Sequence, residues 1–105
     1  MVVVETSVFT RRICELLTDE EYRRLQLALV LRPEQGALVP HGHGLRKVRW
    51  GQTRRGKRGG LRVLYYWDKK SEVVYLLFAY EKSKQADLTP DQAKALGRLI
   101  REELK

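Results

Sequence analysis

LRVLYYWDKKSEVVYLLFAY, residues Leu61–Tyr80, is the stretch that decides the fold. Leu61 to Trp67 and Val73 to Tyr80 are aromatic and β-branched, the side chains that suit a pleated backbone. Between them Asp68-Lys69-Lys70-Ser71 is a polar turn, so the two runs pair as an antiparallel hairpin. The second run is apolar on both faces, as expected of a central strand.

Working outward, Leu45 to Trp50 alternates with period two. Lys47 and Arg49 point to one face, and Val48 and Trp50 to the other. The residues from Gly51 to Gly60 read as a long, mobile hairpin tip joining this strand to the next. Upstream, Val2 to Val4 is a short β-branched strand. Thr6 or Ser7 then caps a helix whose apolar residues Phe9, Ile13, Leu16 and Leu17 recur at helical spacing. Thr18-Asp-Glu-Glu21 is a capping box that opens a second helix with Tyr22, Leu25, Ala28 and Leu29 on one face. Arg32-Pro33 ends it, because a residue before proline is pushed out of the α region. Downstream, Thr89-Pro90-Asp91-Gln92 starts a last helix with an apolar stripe of Ala93, Leu96, Ile100 and Leu104. The expected fold is α+β, one small domain over residues 1–105 in the order β-α-α-β-β-β-α, with the helices on one side of an antiparallel sheet.

Charge is distributed unevenly along this framework. The chain carries 21 Lys and Arg against 13 Asp and Glu, a net charge of +8. Between Gln35 and Trp67 there is no acidic residue, while Arg46, Lys47, Arg49, Arg54, Arg55, Lys57, Arg58 and Arg62 all fall there. The rest of the sequence is balanced, so the excess sits in one glycine-rich segment. A local basic patch on a neutral body reads as a phosphate-backbone footprint, although an anionic lipid or an acidic protein would satisfy it too. No stretch approaches the ~20 apolar residues of a membrane span. The start, Met-Val-Val-Val-Glu, lacks the pattern of a signal peptide. A single cysteine, Cys14, excludes an intrachain disulfide, fits a cytoplasmic location and reads as a small core residue.

Two short motifs carry less than they promise. Gly51 to Lys57 matches the first part of a phosphate-binding P-loop, but Arg58 stands where Ser or Thr must hold magnesium, and a strand follows instead of a helix. His41-Gly-His43 offers half a metal site with no carboxylate or further histidine nearby, so it reads as a solvated loop, and no metal or cofactor is expected. Arg62 is the sharper candidate. It alternates with Leu64 and Tyr66, and a paired strand would hold its planar guanidinium rigidly. Lys47 and Arg49 fit on the neighbouring strand, and three cations gathered without an internal carboxylate call for an external anion. The run Arg54-Arg55-Gly-Lys57-Arg58 reads as a loose electrostatic grip.

Gly44-Leu-Arg-Lys-Val-Arg49, Gly56-Lys-Arg-Gly-Gly-Leu-Arg-Val-Leu-Tyr-Tyr66, Tyr75-Leu-Leu-Phe-Ala-Tyr-Glu-Lys82 and Asp87-Leu-Thr-Pro90 together resemble the RelE/HigB toxins of bacterial toxin–antitoxin modules. The similarity covers nearly the whole chain, and the Lys57-to-Tyr66 segment is its most specific part. The resemblance implies a cytoplasmic endonuclease that cuts mRNA in the ribosomal A site without metal and is neutralised by an antitoxin, expected to be a small helix-turn-helix protein. It also implies a catalytic set of Lys47, Arg49, Arg62 and Lys82. Arg46, Arg54, Arg55, Lys57, Arg58, Tyr80 and Lys84 are the candidates for contact with RNA. Glu81 stands where many relatives have glycine, and Ser83 where some have arginine, which leaves the general acid open.

Such residues suit the chemistry. RNA carries its own nucleophile, the 2′-hydroxyl, which attacks the adjacent phosphorus and expels the 5′-oxygen. An enzyme must remove one proton, stabilise phosphoryl charge and protonate the leaving group. Crowding by other cations makes a lysine readier to give up its proton, which favours Lys47 as base. Arg62 suits the phosphoryl charge, and Lys82 or Arg49 the leaving group. The alternatives are a ParE-like gyrase inhibitor, which needs no catalytic cations, and a non-catalytic RNA- or ribosome-binding module.

Overall fold

The computed structural model describes residues 1–52 and 57–105, with the side chains of residues 52 and 57–59 left outside the description. In chain order the elements are β1 (Val2–Glu5), α1 (Ser7–Leu16), α2 (Asp19–Leu31), β2 (Ala37–Leu38), β3 (Leu45–Gln52), β4 (Lys57–Asp68), β5 (Val73–Glu81) and α3 (Pro90–Leu99). The last turn of α3 widens over Ile100–Leu104, where the Lys105 N–H donates to the Ile100 carbonyl at 3.0 Å. Among the described residues the strands form one sheet in the order β1-β5-β4-β3-β2.

The helix starts follow local sequence chemistry. Thr6, rather than Ser7, caps α1 by accepting from the Phe9 N–H. Thr18 with Glu21 and Thr89 with Gln92 both close reciprocal capping boxes, and Pro90 occupies the first turn of α3.

The α+β domain and its antiparallel β3-β4-β5 meander match the expectation. Beyond an added two-residue strand, β2, which pairs antiparallel with β3, four details differ. First, the sheet is mixed, because β1 pairs parallel to β5, from Val2 opposite Val73 to Glu5 opposite Leu76. Second, the helices cover both faces. Phe9, Ile13, Leu17, Leu25 and Leu29 of the helical hairpin pack on Val48, Leu61, Val63, Tyr65, Val74 and Leu76. On the opposite face Ile100, Leu96 and Leu99 cover Leu45, Leu64, Leu77, Phe78 and Tyr80. The apolar character of both faces of β5 thus has a direct cause. A bulge opposite Leu64 and Tyr65 also puts Leu77 beside Phe78 in the same cluster.

Third, the strands extend into the expected ten-residue tip, since Gln52 pairs with Lys57; positions 53–56, including Arg54 and Arg55, lie outside the described residues. Fourth, Cys14 is exposed and not a core residue. Phe9 and Ile13 define the buried side of α1, and one further residue turns Cys14 about 100° away from it.

One buried side chain sets the height of the α2–β2 connection. The hydroxyl of Tyr65 donates to the Pro33 carbonyl at 2.8 Å and accepts from the Gly36 N–H at 2.9 Å. A Cβ on Gly36 would lie 2.8 Å from that hydroxyl and 3.1 Å from the Lys47 carbonyl oxygen, so only glycine fits the approach. Tyr65→Phe leaves both backbone groups unpaired in a buried setting, a loss of about 1–3 kcal/mol. A urea melt should show that decrease; a midpoint equal to wild type would mean that water replaces the hydroxyl without cost.

Candidate functional site

The meander register builds a transverse row of side chains on the α3 face of the sheet. Arg49 of β3 lies opposite Arg62 of β4, and Arg62 lies opposite Tyr80 of β5. Lys47 stands two residues along β3 from Arg49 and therefore on the same face. Just past β5, the Lys82 N–H donates to the Gly60 carbonyl at 2.8 Å, which prolongs the ladder and fixes the start of the next turn. Lys47, Arg49, Arg62 and Lys82 consequently line one cleft of about 600 Å³, together with Gln35, Ala37, Ala86 and Asp87. The four residues expected to be catalytic are brought together.

Their environments differ in a useful way. Arg62 is 5% exposed, and its guanidinium approaches the Leu61 carbonyl oxygen at 3.4 Å. Arg49 and Lys82 are exposed, and Lys47 is partly so. Arg49 and Arg62 face each other directly across the strand pair, so two guanidinium groups are held close on one face of the cleft.

The cluster is not without an internal carboxylate, as the sequence suggested. Oδ1 of Asp87, on the turn between β5 and α3, lies 3.1 Å from Nζ of Lys47. It also accepts from the Leu88 N–H at 2.7 Å and from the Tyr80 hydroxyl at 3.4 Å. The Leu88 N–H above all, and then the Lys47 ammonium, hold the Asp87 carboxyl below the usual carboxylate range. Burial pushes the Tyr80 hydroxyl up, and the Asp87 charge adds to that, against an opposing effect of Arg62. Asp87 is a site residue that the sequence reading misses. Its signal was a carboxylate two residues before the capping Thr89, in a turn that must begin where β5 ends.

The residues expected to touch RNA scatter. Arg46 faces the other side of β3, where its guanidinium donates to the carbonyls of Glu34 at 3.0 Å and Gly36 at 2.8 Å. Tyr80 is 2% exposed, with its ring in the core beneath α3, so it supports the cleft floor and offers no open stacking surface. Lys84 is exposed and lies 3.6 Å from the carboxylate of Glu81. Both line a separate small cavity with Arg12 and Glu15 of α1. Glu81, the departure from glycine, is therefore turned toward α1, and its carbonyl accepts from the N–H groups of Lys84 and Gln85. Lys57 and Arg58 have their backbone in β4 with side chains outside the description. His41 and His43 are exposed in a tight turn with φ of 60° and 58°, packed against Gly97 of α3. Among the described residues no grouping of three or more His, Cys, Asp or Glu side chains could hold a metal ion. No helix among them is long and apolar enough to cross a membrane.

Comparison with known proteins adds two findings. Residues 3–104 match the sequence profile of a family described as the RelE toxin of the RelE/RelB toxin–antitoxin system. The fold is also similar to the crystal structure of the isolated E. coli RelE toxin, with a TM-score of 0.56 at 15% identity over 93% of this chain and 97% of that one.

Proposed function

The chain belongs to the RelE toxin family, and from that premise we propose that it is a ribosome-dependent mRNA endonuclease, acting in the cytoplasm and held in check by an antitoxin of the helix-turn-helix type. The observation that carries this reading is the convergence of Lys47, Arg49, Arg62 and Lys82 on one cleft, with Arg62 buried and fixed by strand pairing.

The cleft suits cleavage by the substrate's own 2′-hydroxyl. That oxygen attacks the adjacent phosphorus, the bond from phosphorus to the 5′-oxygen breaks, and the products are a 2′,3′-cyclic phosphate and a 5′-hydroxyl. Arg62 matches the added negative charge on the phosphoryl oxygens, being planar and permanently cationic. In this reading Lys47 takes the 2′-hydroxyl proton, and Lys82 or Arg49 serves as the leaving-group acid or its electrostatic substitute. The cleft has no histidine in it, because both histidines lie on the β2–β3 turn. A lysine is mostly protonated at neutral pH, so productive turnover depends on the 2′-hydroxyl being held in line with the leaving oxygen. A ribosome that fixes the codon supplies that orientation, which contributes on the order of several kcal/mol in favourable intramolecular reactions.

The test is one end-labelled mRNA, incubated with the protein alone in EDTA and, separately, on programmed ribosomes. Cleavage confined to the ribosome arm is expected. Rapid cutting of free RNA at catalytic enzyme concentration would show a self-sufficient site, and no cutting in either arm together with gyrase inhibition would move the protein to the ParE-like activity.

A further inference from the structure

We propose that Asp87 is a built-in counter-anion of the cleft: its carboxylate positions the Lys47 ammonium and at the same time opposes the phosphate that the other cations attract. The inference rests on the nuclease reading above and adds a positioning residue to it.

The geometry makes Asp87 the fixed partner. Its Oδ1 accepts from the backbone N–H of Leu88 at 2.7 Å and from the Tyr80 hydroxyl at 3.4 Å, independently of Lys47. The turn that carries it is tied down as well. The Gln85 amide donates to the Asp87 carbonyl at 2.9 Å and to the Gln92 side-chain oxygen at 2.9 Å. Gln92 in turn accepts from the Thr89 N–H at 3.0 Å in the capping box of α3. The start of α3 thus fixes the carboxylate, and the long, flexible Lys47 side chain reaches to it at 3.1 Å. Without this partner the lysine would lose its orientation and gain rotamer freedom.

Charge gives the second half of the inference. Asp87 is the one carboxylate among the described residues lining a cleft that holds four cations. In the empty cleft it offsets part of their mutual repulsion. Once a phosphate enters, the same carboxylate repels it and competes for Lys47. Asp87 is largely solvated, its side chain 71% exposed, and Lys47 is partly so, which screens the charge and limits the expected effect on binding to about 3- to 10-fold.

Asp87→Asn separates these effects, because the amide oxygen can still accept from Leu88 and Tyr80 while the charge is gone. Two measurements on the full chain decide the matter. The first is binding of a 2′-O-methylated single-stranded RNA, which has no hydroxyl to attack. The second is kcat and KM for mRNA on programmed ribosomes. Asp87→Asn should bind the modified RNA about 3- to 10-fold more tightly and lower KM, and kcat should change, because Lys47 loses the partner that both orients it and sets a negative charge beside its ammonium group. Asp87→Glu should keep wild-type binding and bring kcat part of the way back to wild type. Unchanged or weaker binding by Asp87→Asn, with circular dichroism like wild type, would overturn the proposal, as would an unchanged kcat. Wild-type protein that cuts no mRNA on ribosomes would sink the nuclease reading, yet the binding comparison would still decide whether Asp87 is the counter-anion.

Discussion

Arg62→Ala should lose about 10²–10³ in the rate of mRNA cleavage on ribosomes, and with it toxicity in growing cells. The expectation comes from where the side chain sits. Arg62 is centred in the row Arg49–Arg62–Tyr80 and is 5% exposed, so its guanidinium is held by the sheet before any substrate arrives. A donor oriented in advance needs no reorganisation as phosphoryl charge develops, which is why losing one is costly. The same burial means that truncation to alanine also removes packed aliphatic stem and lowers stability. Arg62→Lys controls for this. It keeps a cation and most of the stem but loses the planar fork, so it should melt near wild type and still cut slowly. The measurement is single-turnover cleavage of one codon, alongside thermal melts of both variants. Arg62→Lys protein that is fully folded and cuts at wild-type speed would show that charge alone suffices, and Arg62→Ala protein cutting equally fast would remove Arg62 from the reaction.

The face of β4 on which Arg62 lies could be read from the sequence because it needs only local information. Alternation puts Lys47 and Arg49 on one face of β3 and Arg62 on one face of β4 with Leu64 and Tyr66, whereas the partner of Arg62 on β5 is set by the bulge opposite Leu64 and Tyr65, which the short turn at Asp68–Ser71 does not announce. The capping boxes at Thr18 and Thr89 are equally local. Two of the misses are local, Cys14 on its helix and the strand pairing that reaches Gln52 and Lys57, and the others are relations between elements far apart in the chain. Nothing in Val2–Glu5 states that its partner is Val73–Leu76, since a parallel pair has no connecting turn to announce it. Nor does the apolar stripe of α3 say which face of the sheet it covers; the apolar run of β5 on both faces fits either answer. Once α3 is placed opposite the helical hairpin, two further results follow. Tyr80 is buried beneath it, and Asp87 arrives beside Lys47, forty residues away in sequence. Tyr80, a candidate RNA contact by resemblance, and Cys14, a core candidate by size, share one lesson: side-chain type is legible, and the side on which each is covered or exposed is not.

Neutralising Arg54, Arg55, Lys57 and Arg58 together should weaken RNA binding about 100-fold near 0.1 M salt and reduce its salt dependence by about 0.7–0.9 log units per lost phosphate contact. The motive is positional as well as electrostatic. The Gln52–Lys57 pairing flanks this segment and lies three residues along β3 from Arg49, about 10 Å from the Arg49–Arg62 row at the rise of an extended strand. Backbone that continues out of the cleft past Arg62 in this direction would therefore run toward the Gln52–Lys57 pairing. The four basic residues sit in sequence among Gly51, Gly56, Gly59 and Gly60, a setting for non-directional attraction more than for oriented hydrogen bonds. Two consequences separate this role from that of Arg62. The loss should be uniform across RNA sequences, because contacts to phosphate position a strand without reading its bases. It should also appear in KM more than in kcat, since a grip remote from the scissile phosphate binds ground state and transition state alike. Titrating a 2′-O-methylated RNA with the wild-type and quadruply substituted chains across a range of KCl concentrations gives the slopes directly, and cleavage maps on ribosomes give the codon preference. A changed codon preference with an unchanged salt slope would assign the segment to base recognition. Equal slopes and equal affinities would leave the RNA held by Lys47, Arg49, Arg62 and Lys82 alone.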